Sequence, residues 1–210
     1  MSLVIKSEKW TTPNLSDFVF RVADIKLEEA KILRCRWKGY RRYGFRSPED
    51  CRDRYDDYAA HYVCEKDGEI VGCIRMVSAR KGKFELQAFV DISAWLKENK
   101  LTAELTRFSI PLHRRMRDIK FGLWKLAWLN AAATSHTGFI VWSIREKLPM
   151  YRSLGFEGFP GQEACFSHAG LKNRKHWIMT LDFARAENLY RHLNPHLYHF
   201  FCELKHPNIF

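Results

Sequence analysis

The sequence predicts a layered α/β or α+β fold on a mixed β-sheet, because short β-branched segments alternate with helical ones around one clear hairpin. The chain has 210 residues, 46% of them hydrophobic and 14% aromatic, enough apolar material for the core of one domain without disulfides or metal. The same composition excludes intrinsic disorder.

Residues 18–22 alternate as a strand, and a helix follows over 27–43, where Ala30, Leu33, Trp37 and Tyr40 recur at helical spacing before Gly44. Residues 46–58, with Pro48, read as an ordered loop or short helix. Strands at 61–64 and 69–77 flank Lys66-Asp67-Gly68, a hairpin turn in which Gly supplies positive φ. A helix is expected at 88–99, then a strand at 101–110 ended by Pro111. Leu123, Trp124, Ala127, Trp128, Ala131 and Ala132 give a helical stripe over 121–136. An apolar strand at 139–144, a short helix at 146–154, an alternating strand at 176–183 and an aromatic-rich helix at 184–201 complete the order.

The formal net charge of +11 points to an anionic partner, for which nucleic acid, anionic lipid and an acidic carrier protein all qualify. The six cysteines show no C-x-x-C spacing and are expected to be reduced. The start lacks the basic and apolar regions of a signal peptide, and no apolar run is long enough to span a bilayer, so a cytoplasmic protein is expected. No metal is expected. His192, His196 and His199 have spacings that would share one helix face, but a zinc site wants a fourth ligand.

Three segments carry more specific information: Asp53-Arg-Tyr-Asp56, Ile70-Val-Gly-Cys-Ile-Arg75 and Glu104-Leu-Thr-Arg107-Phe108. In order and spacing, with Arg36 and Tyr40 upstream, Phe89 before the third segment and Met150-Tyr-Arg-Ser-Leu-Gly155-Phe156 downstream, they resemble the autoinducer (acyl-homoserine lactone) synthases and the N-acyl amino acid synthases of the GNAT superfamily. The resemblance implies a three-layer α-β-α sandwich whose central twisted mixed sheet contains a splayed strand pair. It would occupy residues 1–183, with 184–210 a helical extension of the same domain.

It also implies an acyltransferase moving a fatty acyl group from the phosphopantetheine of acyl carrier protein, or from coenzyme A, to a small amine. No tightly bound cofactor is expected. Arg36, Asp53, Asp56, Arg75, Glu104 and Arg107 match the charged set beside the family's cleft, although an ion-pair network that only braces the fold would use the same residue types. Glu104 is the candidate general base, held by Arg107, and the backbone from Arg107 to Ser109, with the Thr106 and Ser109 hydroxyls, the candidate oxyanion donor. Phe108, Phe89, Trp124, Trp128, Trp142 and Phe139 are candidates for the acyl slot.

Arg114-Arg-Met-Arg117-Asp-Ile-Lys120-Phe-Gly122 lies where GNAT enzymes receive the pyrophosphate of coenzyme A. Arg117 and Gly122 fit that pattern, but Lys120 replaces its middle glycine, which favours the single phosphate of a carrier-protein arm contacted by Arg114, Arg115, Arg117 and Lys120. Lactone synthases, which use S-adenosylmethionine, carry Thr-Thr-Gly-Pro where this chain reads Val77-Ser-Ala-Arg-Lys-Gly82, and a Trp where it has Phe45. An amino acid acceptor is therefore preferred to the lactone. Arg36-Trp-Lys-Gly-Tyr-Arg-Arg-Tyr43 raises a nucleic-acid-binding alternative, although helical spacing turns Trp37 and Tyr40 inward.

Overall fold

The computed structural model describes residues 11–160, 165–168 and 174–210, the side chains of 165, 167 and 168 aside. The strands are β1 (Val19–Ala23), β2 (Ala60–Lys66), β3 (Glu69–Ser78), β4 (Thr102–Ser109), β5 (Gly138–Ser143), β6 (Glu157–Gly158), β7 (Cys165–His168) and β8 (Arg174–Asp182). They form one sheet in the order β1-β2-β3-β4-β5-β8-β6, with β7 also on β8. Of these pairings, β4–β5 is parallel and the others antiparallel. The β2–β3 hairpin turns on Asp67 and Gly68, both at positive φ (52° and 78°), the backbone that the expected turn requires.

Alternation along β3 sorts the two layers. Ile74 and Met76 join the main core with α3 (Met116–Ala133), while Cys73 packs with Ile32 and Cys35 of α1 (Ile25–Tyr40) on the opposite face. A third cluster under the 84–89 turn contains Val77, Phe84, Leu86, Ile140 and Phe166. Helices therefore cover both faces of a mixed sheet, the three-layer GNAT-like architecture that the motifs implied.

Several boundaries differ from the sequence reading. Only Ser93–Glu98 of the expected 88–99 helix is α-helical (α2), because the Asp91 carboxylate accepts from Ser93 N at 2.9 Å and delays the start. The 184–201 helix is broken at Pro195 into α5 (Phe183–Leu193) and α6 (Pro195–Tyr198), so His192, His196 and His199 do not share one helix face. The remaining helix, α4 (Leu148–Ser153), follows β5 through a 3-10 turn.

The carboxy-terminal segment is part of the main core, where Phe200 and Phe201 are buried. The buried Lys125 of α3 donates through Nζ to the carbonyls of Phe200 and Leu204, and burial lowers its ammonium pKa to about 8. Phe20 N donates to Asn208 O and Phe210 N to Phe20 O, so the last residues cover the β1 edge.

Candidate active site

The parallel pair opens the site. β4 and β5 are paired at Thr102–Gly138, Ala103–Phe139 and Glu104–Ile140 and then part. After Thr106 β4 also loses register with β3, because Arg75 faces Thr106 while Cys73 faces Ser109. The extra residue is accommodated by Arg107 at φ 53°, a left-handed conformation that non-glycine residues seldom adopt. The result is a cleft of about 390 Å³.

Its wall includes Tyr40, Tyr43 and Phe45 from the end of α1 and the turn after it, Leu105 to Ile110 from β4, and Trp142 from β5. Met150 and Tyr151 of α4 and His176 of β8 complete the apolar and aromatic lining. Cations line it in two groups: Arg117 and Lys120 near the start of α3, and Arg42, Lys147 and Arg174 elsewhere on the rim.

Behind β4, the charged residues form one continuous network on the α1 face. Arg36 donates to both carboxylate oxygens of Asp56, at 2.9 and 3.0 Å, and to Cys51 O. Arg75 donates to Asp53 at 2.6 Å, Asp56 at 3.0 Å, Glu85 at 2.6 Å and Thr106 Oγ1 at 3.0 Å. Arg107 closes the ring onto Asp53 and onto Glu85 at 2.9 Å.

Burial opposes ionisation of Asp53, but Arg107 and Arg75 outweigh it and hold the carboxyl below its ordinary range; Arg36 and Arg75 do the same for Asp56. His61, between Arg36 and the Asp56 carbonyl, is pushed down to about 4, first by burial and then by Arg36, and is neutral.

Glu104 differs from the expectation. It is fully buried, is not part of the cleft wall and does not pair with Arg107, whose guanidinium is taken by Asp53 and Glu85. Its carboxylate accepts from Glu85 N at 2.7 Å, Leu86 N at 2.9 Å and Trp142 Nε1 at 3.0 Å. Burial, followed by the nearby Glu85, pushes its pKa up to about 7.

Ser109 also differs: its hydroxyl donates to Cys35 O at 3.1 Å, tying β4 to α1. Tyr40 donates its hydroxyl to Phe108 O at 2.9 Å and so braces the bulge, and burial raises its phenol pKa.

Of the expected phosphate-binding residues, Arg117 and Lys120 line the cleft, whereas Arg114 does not. Arg115 is engaged by Asp17 and Asp118. Gly122 faces the core, where a Cβ would overlap the Phe20 ring, so its smallness serves packing. Among the acyl-slot candidates, Phe108 and Trp142 line the cleft, and Phe89 packs on Trp142 at 6.1 Å and stacks on Phe166 at 5.0 Å. Trp124 lies one ring behind Phe108 and Tyr151, at 5.9 and 5.8 Å, and Trp128 and Phe139 pack against Phe183 in the core.

Glu85, Arg42, Lys147, Arg174 and Tyr151 were not singled out as site residues from the sequence. Tyr151 lies in the segment that carried the resemblance; the others have no local signal, because loop and rim charges ordinarily read as solvated surface.

Residues 36–125 match the model of an acetyltransferase (GNAT) domain. No curated protein is similar in sequence at a significant level. Among solved structures, FeeM, an N-acyl amino acid synthase from uncultured soil microbes, superposes with a TM-score of 0.66 at 17% identity, over 81% of this chain and 93% of that one. BjaI, a CoA-dependent acyl-homoserine lactone synthase solved with SAM and isopentyl-CoA, gives 0.59 at 16% identity, over 83% and 88% of the two chains. The lactone synthase LasI gives 0.57 at 14% identity, over 79% and 90%. At these identities the structural likeness is one of fold. The splayed sheet and these likenesses give the chain a GNAT fold, within which residues 36–125 match an acetyltransferase domain.

Proposed function

We propose that the protein moves a fatty acyl group from the phosphopantetheine thioester of acyl carrier protein to the amine of an amino acid. The observation that carries this reading is the cleft where β4 leaves β5, with the Arg107–Phe108 bulge in its wall and an apolar, aromatic lining suited to an acyl chain. The fold likeness to FeeM, an N-acyl amino acid synthase, supports it. Arg117 and Lys120, near the start of α3, supply charge beside the helix-terminal field for the phosphate of the arm. The net charge of +11 favours docking of an acidic carrier. Free cysteines at positions 35, 51, 64, 73 and 202 fit the reduced cytoplasm in which we place the reaction.

In the proposed reaction the neutral acceptor amine attacks the thioester carbon, the C–N bond forms, the C–S bond breaks, and the proton lost by nitrogen ends on the pantetheine sulfur. The bulge, released from the β3 ladder, presents backbone N–H to the oxyanion. Tyr151 lines the cleft, and burial raises its phenol to about 12, which keeps it a neutral donor for the leaving thiolate. Glu104 acts from behind the wall by fixing Trp142 and the 84–88 turn.

Nucleic-acid binding is disfavoured because Tyr40, one of its aromatic candidates, is engaged on the Phe108 carbonyl. The deciding experiment is mass spectrometry of products formed from carrier protein loaded with medium- and long-chain acyl groups, amino acids and S-adenosylmethionine. An N-acyl amino acid supports the proposal. A homoserine lactone would instead make the chain an autoinducer synthase, and absence of any acyl product would overturn the reading.

A further inference from the structure

We infer that the rim at the end of α1 is a carboxylate site, formed by Arg42 and Arg174 around the ring of Tyr43, and that it selects an α-amino acid over a plain amine as acceptor. The inference rests on the acyl-transfer reading above and adds the group by which the acceptor is recognised.

The two guanidiniums come from separate elements. Arg42 lies in the 3-10 turn that continues α1, and Arg174 begins β8, yet both meet the same ring: Arg42 Cζ is 4.8 Å and Arg174 Cζ 5.9 Å from the Tyr43 centroid. All three residues line the cleft. The cations at the start of α3 belong to the helix on the opposite face of the sheet from α1, so the two groups of charge are assigned to different ligands. A donor arm with one phosphate accounts for Arg117 and Lys120 and leaves Arg42 and Arg174 to an anion on the acceptor.

In an α-amino acid the carboxylate and the attacking nitrogen share one carbon, so both must be held in the same cleft. Phe108 O in the bulge accepts from Tyr40 at 2.9 Å, and the Tyr40 and Tyr43 rings are 6.4 Å apart, so the bulge and the two guanidiniums are joined through one aromatic wall of the same cleft. Among the described residues Arg42 has no carboxylate partner. Arg174 is held by Glu146 Oε1 at 2.8 Å in a pair whose side chains are 37% and 62% exposed. An exposed pair of this kind contributes little, so a substrate carboxylate can replace Glu146. Planar guanidiniums are also the side chains best shaped to grip a carboxylate.

The test uses the full chain with the donor that it turns over and matched acceptors, tyrosine against tyramine and leucine against leucinamide. Arg42→Gln and Arg174→Gln are each expected to raise KM for the amino acid about tenfold or more. The same variants should leave rates with the matching amines within about twofold. Arg191→Gln, on the exposed face of α5, should change neither. Equal use of amino acids and amines by the wild type would overturn the site, as would variants that raise KM for the donor and not for the acceptor. Failure to acylate any acceptor would instead remove the acyl-transfer reading, and loss of calorimetric tyrosine binding in the two variants would then still separate a carboxylate site from none.

Discussion

Trp142 Nε1 donates to Glu104 Oε1 at 3.0 Å, across the last rung at which β4 and β5 remain paired. One residue lines the cleft and the other is sealed behind it, so the indole is the link between the buried acid and the substrate space.

Glu104→Gln is therefore expected to reduce kcat by misorienting Trp142, because the amide cannot accept from all three donors that now meet the carboxylate. Trp142→Phe should reproduce most of that loss, and the double variant should be far from additive. Independent, multiplicative losses in steady-state kinetics would contradict the link.

The same buried acid has a signature in stability. Its pKa is raised to about 7 from an ordinary 4.5, so the folded state binds a proton that the unfolded chain has released between those values. Its contribution is fully present below about pH 4.5 and is lost as pH rises through about 7. Relative to Glu104→Gln, the wild type should lose up to about 3 kcal/mol over that window in urea titrations. His61, whose pKa is lowered to about 4 from 6.5, gives the opposite slope between those values in both proteins and cancels in the comparison.

Arg75→Leu removes the cation shared by Asp53, Asp56 and Glu85 and leaves buried carboxylates uncompensated. The expected cost is about 3–5 kcal/mol. Denaturant unfolding measures it, and a change below about 1 kcal/mol would mean that the network is dispensable for folding.

Gly122→Ala and Lys120→Gln separate packing from binding on the same helix. The alanine methyl would meet the Phe20 ring and is expected to destabilise by about 1–3 kcal/mol with donor KM unchanged. Lys120→Gln should raise donor KM and leave stability nearly unchanged, because the residue lines the cleft. Thermal unfolding paired with donor titrations distinguishes the two.

Tyr151→Phe removes the proposed donor to the leaving sulfur and should lower kcat about a hundredfold, with acceptor KM little changed. Rapid quench of a single turnover reads that step directly.

The charged network was legible because charges that must be buried have to be matched. Arg36, Asp53, Asp56, Arg75 and Arg107 recur in an order that resembles a known family, and the fold brings them together. Glu85 was not legible: a single Glu opening a 3-10 turn reads as surface until the fold carries Arg75 and Arg107 over it. Pairing Glu104 with Arg107 failed because the bulge, which no local pattern announces, delivers the Arg107 guanidinium to Asp53 and Glu85 instead. Gly122 was misread because a glycine near a helix start fits both anion binding and close packing, and only the position of Phe20 distinguishes them.

The most direct test of the account is a crystal structure of the protein with a non-hydrolysable acyl-phosphopantetheine. The account predicts the phosphate on Arg117 and Lys120, the carbonyl at the Arg107–Phe108 bulge and the acyl chain between β4 and β5. Binding instead in the groove of about 290 Å³ at the other end of the sheet, beside Thr102, Gly138 and Asp182, would contradict it.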